Sequence, residues 1–188
     1  MIDTIFIEQE ILDHERTKAV LSKFPKSNRV IISRYQEVFN KRTQNFRLQK
    51  KQPALILANK HKNFVLPAPA GFGIGAEKNF YFSHMYNCLY DCRYCFLQGM
   101  YSSANYVLFI NYEDFYSHIK RTIRNNIDDR MTFFSGYDCD SLAFEKISGF
   151  VKNTLPIFSG LEDVGLELRT KSVQLEPLIS LEPQKNCI

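Results

Sequence analysis

The chain has 188 residues, with 24 Lys and Arg against 20 Asp and Glu, a net charge of +4, five cysteines and no tryptophan. That length builds one large or two small domains. No apolar stretch approaches a membrane span, and Met1-Ile-Asp-Thr4 lacks the basic start of a secretory leader. The expectation is a cytoplasmic protein with no membrane partner, in whose reducing surroundings clustered thiols bind metal rather than pair as disulfides.

Residues 1 to about 75 read as a small α/β module. Strands are predicted at Ile5-Phe-Ile7 and Arg29-Val-Ile-Ile32, and a helix between them over Leu12 to Phe24, stopping before Pro25. The run from Lys41 to Lys51 carries five cations, no acid and Phe46. It suits a solvated face, or a surface that meets a polyanion. Pro67, Pro69 and the glycines after them mark a boundary, so residues 76–188 form the second domain. Gly71-Phe-Gly-Ile-Gly-Ala76 fits the G-x-G-x-x-A dinucleotide fingerprint, but prolines interrupt the run before it and strand-like Asn79-Phe-Tyr-Phe82 follows. It reads as a flexible lead into that strand.

Further strands are expected at Phe80–Phe82, Tyr106–Ile110, Met131–Phe134 and Gly165–Arg169. Helices are expected over Glu113–Asn125 and Ser141–Asn153, the latter with Asp140 as its N-cap. Strands alternating with helices imply βαβ units, here about four parallel strands.

The chemistry concentrates in Asn87-Cys-Leu-Tyr-Asp-Cys-Arg-Tyr-Cys95, where Cys88, Cys92 and Cys95 form a C-x3-C-x2-C run. Three thiolates on one loop can each bind one iron of a 4Fe-4S cube and leave the fourth without a protein ligand. The competing reading is zinc, because His84 completes H-x3-C-x3-C-x2-C as a Cys3His set. Beside the basic run, that would make a non-catalytic nucleic-acid-binding module.

The cysteine run resembles that of the radical S-adenosylmethionine enzymes, down to Tyr94 before the last cysteine. Beyond it, the chain resembles the spore photoproduct lyase family over nearly its whole length. The resemblance rests on Ile5-Phe-Ile-Glu-Gln-Glu-Ile-Leu-Asp13, Cys95-Phe-Leu-Gln-Gly-Met100, Asp140-Ser-Leu-Ala143 and Leu168-Arg-Thr-Lys-Ser172, in the family's order. It implies an α/β fold in which the N-terminal module precedes a partial (β/α)6 barrel. It also implies a 4Fe-4S cluster, S-adenosylmethionine cleaved to a 5′-deoxyadenosyl radical, and an electron donor such as flavodoxin or ferredoxin. The implied reaction is a carbon–carbon lyase step, the light-independent repair of pyrimidine lesions such as thymine dimers in DNA.

By the same resemblance Lys171 pairs with the cofactor carboxylate, Ser135 and Gly136 form the close backbone contact, and Tyr94 packs near the adenine. On the residues alone, Lys171 is equally a surface lysine, Ser135-Gly136 a tight turn and Tyr94 a core aromatic. Two positions depart from the family. Tyr137 stands where the family has a hydrogen-donating cysteine, and Phe96 where it has an assisting tyrosine; Cys139, two residues along, is the other candidate donor. The chain stops at Asn186-Cys-Ile188, where the family enters its fifth strand. The expectation is a truncated, poorly stable member, with Cys187 belonging to that strand.

Overall fold

A computed structural model describes residues 2–179 and 186–188. In chain order the elements are β1 (Thr4–Glu8), α1 (Glu15–Ser22), β2 (Asn28–Ile32), α2 (Phe46–Gln49), β3 (Leu55–Ala58), β4 (Leu66–Pro67), β5 (Lys78–Tyr81) and β6 (Met85–Tyr86). There follow β7 (Tyr106–Phe109), α3 (Tyr112–Asn125), β8 (Met131–Phe134), α4 (Glu145–Ser148), α5 (Phe150–Phe158), β9 (Val164–Glu167) and α6 (Glu176–Ile179). They make two compact units, one of Met1–Lys60 with Met85–Ile110, the other of His61–His84 with Asn111–Ile188.

The first unit is a five-stranded sheet in the order β2-β1-β3-β7-β6, parallel except for β6. Every residue of β3 and β7 is buried. Leu-Ile-Leu-Ala and Tyr-Val-Leu-Phe are the unbroken apolar runs that a central parallel strand needs when both its faces are covered. At the sheet edge, β2 is mostly solvent-facing and carries Asn28 and Arg29, polar residues suited to an edge strand. The helix expected over Leu12 to Phe24 is shorter. His14 is extended and its Nδ1 accepts the Arg16 N–H at 3.1 Å, so the helix starts at Glu15.

The second unit is a sheet in the order β4-β5-β8-β9, with β5, β8 and β9 parallel and β4 antiparallel at the edge. Beyond β9 the last residues continue the parallel pairing. Cys187 bridges to Leu166, whose N–H donates to Asn186 O at 2.8 Å, while Ile188 N–H donates to Leu166 O at 2.9 Å. The Asn186 side-chain amide donates to the carbonyls of Phe158, Leu161 and Val164 at 2.7, 2.8 and 2.7 Å. On α3, Tyr112, Phe115 and Ile119 are buried, at the spacing of one helix face.

The architecture is α/β with two mostly parallel sheets, and among the described residues no barrel closes. Two details differ from the sequence reading. The strand at Tyr106–Phe109 was expected in series with the three of the second unit, but it pairs with β3, which the reading omitted. Short apolar runs carry strand propensity without saying which neighbour they pair with. The helix expected over Ser141–Asn153 is also broken in two. Gly149, at φ 60°, ends α4 in the left-handed conformation, and the buried Glu145 carboxylate then accepts the Val151 and Lys152 N–H groups at 2.8 and 3.2 Å to start α5. Gly71 and Gly75 also have positive φ and lead into β5 rather than a helix, so the dinucleotide fingerprint has no phosphate-binding helix behind it. Among the described residues, no helix is long and apolar enough to cross a membrane.

Candidate functional site

The three clustered cysteines lie on the loop that joins β6 to β7 in the first unit. Its base is clamped by Asn87, a left-handed residue at φ 64° whose side-chain amide donates to Ser103 O and Asn105 O, both at 2.7 Å. Asn tolerates that conformation better than most residues, so one side chain supplies both the turn and the clamp. Gln49 reinforces the return, its Oε1 accepting the Ser103 hydroxyl at 3.0 Å and the Ala104 N–H at 2.6 Å. Within the loop, Cys95 N–H donates to Cys92 O at 2.9 Å and Gln98 N–H to Cys95 O at 3.0 Å.

Cys88, Cys92 and Cys95 form no disulfide and are of intermediate exposure. Tyr90 N–H donates to Cys88 Sγ at 3.4 Å. The donor set of soft sulfurs with backbone N–H support fits a thiolate-held iron–sulfur cluster. In β7, the phenol pKa of Tyr106 is pushed up to about 12, first by burial and then by the charges of Cys88 and Asp91. It stays protonated at any physiological pH. Tyr94 and Phe96 are exposed by 78% and 61%, so neither fills the core. His84, the fourth ligand of the zinc reading, is buried in the second unit with its ring stacked on Phe150 at 3.6 Å. That packing does not favour zinc.

The remaining sequence-predicted residues follow β8 and β9 in the second unit. Ligands of parallel α/β sheets collect at these carboxyl ends. Ser135 is buried and its hydroxyl donates to Glu167 O at 2.9 Å, tying the two strand ends together. Gly136 sits where a Cβ would come within 2.7 Å of Ser141 Oγ and 3.2 Å of the Arg169 and Cys139 carbonyls. Gly136→Ala should therefore destabilise the fold by about 1–3 kcal/mol, read as a shift in the urea midpoint. Parent-like unfolding would mean that the loop yields freely.

Tyr137 is half-buried, stacks on Tyr81 with ring centroids 4.3 Å apart, and lines a cleft with Gly136, Phe134, Phe72 and Arg169. Cys139 is only 5% exposed. Lys171 is exposed, and its backbone N–H donates to Asp140 Oδ2 at 2.6 Å. Asp140 Oδ1 also accepts the Thr170 hydroxyl at 2.7 Å and the Leu142 and Ala143 N–H groups at 3.0 and 2.8 Å. The residue expected as a helix N-cap thus caps a turn and holds the Arg-Thr-Lys segment as well. Sequence reasoning missed this second duty of Asp140 and the clamp at Asn87. An Asn directly before the first cysteine was the available signal for the clamp.

No protein-family model and no curated protein matches the sequence. Solved structures do. A spore photoproduct lyase variant with bound AdoMet and dinucleoside spore photoproduct superposes with a TM-score of 0.82 at 15% identity, covering 100% of this chain and 55% of that one. Spore photoproduct lyase complexed with dinucleoside spore photoproduct gives 0.79 at 15% identity, with the same coverage. The chain therefore shares the fold of these structures and spans about half of their length.

Proposed function

We propose that this chain is the cluster- and cofactor-binding part of a radical S-adenosylmethionine enzyme of the spore photoproduct lyase type, acting on pyrimidine lesions in DNA. The observation that carries the reading is the clamped loop bearing three partly exposed cysteines outside any disulfide, within a chain whose whole length follows that fold. Cys88, Cys92 and Cys95 would hold a 4Fe-4S cluster. When bound, the cluster and S-adenosylmethionine supply a 5′-deoxyadenosyl radical through one-electron cleavage. The Lys171 ammonium pairs with the cofactor carboxylate, and the backbone at Ser135 and Gly136 approaches the methionyl group. Tyr94 packs near the adenine, and Ser135 holds the strand ends that carry the contact.

Tyr137 is the hydrogen donor in this reading, supported by its partial exposure and by the burial of Cys139, the other candidate. The phenolic O–H breaks, a C–H bond forms on the substrate radical, and the unpaired electron passes to the phenol oxygen. Because a phenol passes hydrogen to a carbon radical more slowly than a thiol does, although the two bonds are of similar strength, repair should be slow relative to cofactor cleavage. Anaerobic reconstitution with iron and sulfide, followed by dithionite, S-adenosylmethionine and a dinucleotide lesion, tests the whole reading. The expected result is brown protein that forms 5′-deoxyadenosine, with Tyr137→Cys raising thymine recovered per deoxyadenosine. A colourless protein holding one zinc would sink the enzyme reading. Efficient repair unaffected by Tyr137→Phe would move the donor elsewhere, with Cys139 next.

A further inference from the structure

A groove of about 780 Å³ runs along the cysteine loop within the first unit, with α2 forming one wall and the loop itself the other. Its charged lining is Arg47, Lys50 and Arg93 against a single acid, Asp91. Lys50 ties the two walls together, its Nζ donating to Cys88 O at 3.2 Å while lying 5.9 Å from the centre of the Phe46 ring. The basic run read from the sequence is thus bonded to the backbone of the first cluster ligand. On the same short helix Leu48 is 64% exposed, and Met100, on the cysteine loop, is 46% exposed.

We propose that this groove docks a small acidic electron-carrier protein, which delivers the electron that the cluster needs. The proposal rests on the cluster reading above. One-electron cleavage of S-adenosylmethionine consumes an electron from outside the chain, and transfer falls off steeply with distance. A docking site serves best where it touches the cluster loop, as this groove does. Three cations to one acid would steer an anionic partner. Two exposed apolar side chains beside a charged patch match the small, transient interfaces of electron-transfer encounters. A nucleic-acid strand is the weaker fit, because strand-binding grooves present successive aromatic platforms. Here the one aromatic in the lining, Phe46, lies beneath Lys50, and the exposed Tyr94 and Phe96 of the loop stand outside that lining.

The test uses protein carrying its cluster and follows the loss of visible absorbance on reduction, by dithionite and by a reduced acidic flavoprotein. Arg47→Glu combined with Arg93→Glu should slow reduction by the flavoprotein at least about tenfold at low ionic strength and flatten its salt dependence. Iron content and dithionite reduction should match the parent. An unchanged flavoprotein rate in that variant overturns the docking proposal and leaves the cluster reading standing. A parent that takes up no iron, or that dithionite does not bleach, sinks the cluster reading itself. If the charge reversal abolishes binding of a single-stranded oligonucleotide but spares the flavoprotein rate, the groove is a nucleic-acid site and the carrier proposal is wrong. Should the double variant lose iron, Arg47→Gln, outside the loop, decides by the same rates.

Discussion

Replacing any one of Cys88, Cys92 or Cys95 by alanine should leave the protein without a stable cluster, whereas Cys139→Ala and Cys187→Ala should retain it. The three thiols share one loop and are partly exposed, with backbone hydrogen bonds shaping the turn between Cys92 and Cys95. A cube held at three corners loses a third of its anchorage with each removal. Cys139 is buried in the other unit. Cys187 is paired beside β9, and burial pushes its thiol pKa up, away from the thiolate that binds metal. Iron and acid-labile sulfide per chain after anaerobic reconstitution are the measurements. Loss of iron from Cys139→Ala as complete as from Cys92→Ala would show the ligand set to be wrong.

Asp140→Ala should be the most damaging single change in the second unit. The carboxylate is 8% exposed and accepts from Leu142, Ala143 and Lys171 N–H groups and from the Thr170 hydroxyl. A buried donor left without its acceptor costs about 1–3 kcal/mol, and some of these groups will find water, so a loss of about 3 kcal/mol is expected. The same change frees the Arg169–Lys171 segment. Affinity for S-adenosylmethionine should then fall more than tenfold through loss of positioning alone, about 1.4 kcal/mol. Denaturant unfolding reads the first effect and equilibrium binding to cluster-loaded protein the second. Asp140→Asn keeps one acceptor oxygen and should recover part of the stability without the full affinity. If Asp140→Ala unfolds like the parent and binds the cofactor equally well, the carboxylate does not organise that segment.

Much of this was legible in the sequence because it depends on short-range pattern. The strand at Met131–Phe134 lies where alternation of elements put it. Helix α3 runs from Tyr112 to Asn125, one residue longer than its apolar spacing and flanking signals suggested. The C-x3-C-x2-C run pointed to the fold later met in the solved structures.

Tertiary structure decided what lies between distant stretches of chain. Tyr106–Phe109 reads as a strand in isolation, but its parallel partner is Leu55–Ala58, some fifty residues earlier. Pairing is chosen by which buried faces match and not by sequence order. Asp140 looks like a helix cap until Thr170 and Lys171 return to it from beyond β9. Gly136 reads as an ordinary turn glycine until the carbonyls of Cys139 and Arg169 close on it. Asn87 becomes a clamp only because the far end of the cysteine loop comes back to its amide. By itself the sequence determined which residues are candidates for the chemistry, because reactivity belongs to side-chain type and local spacing. What holds each of them in place was decided by the fold, because a hydrogen bond forms only where the completed chain brings donor and acceptor within about 3 Å.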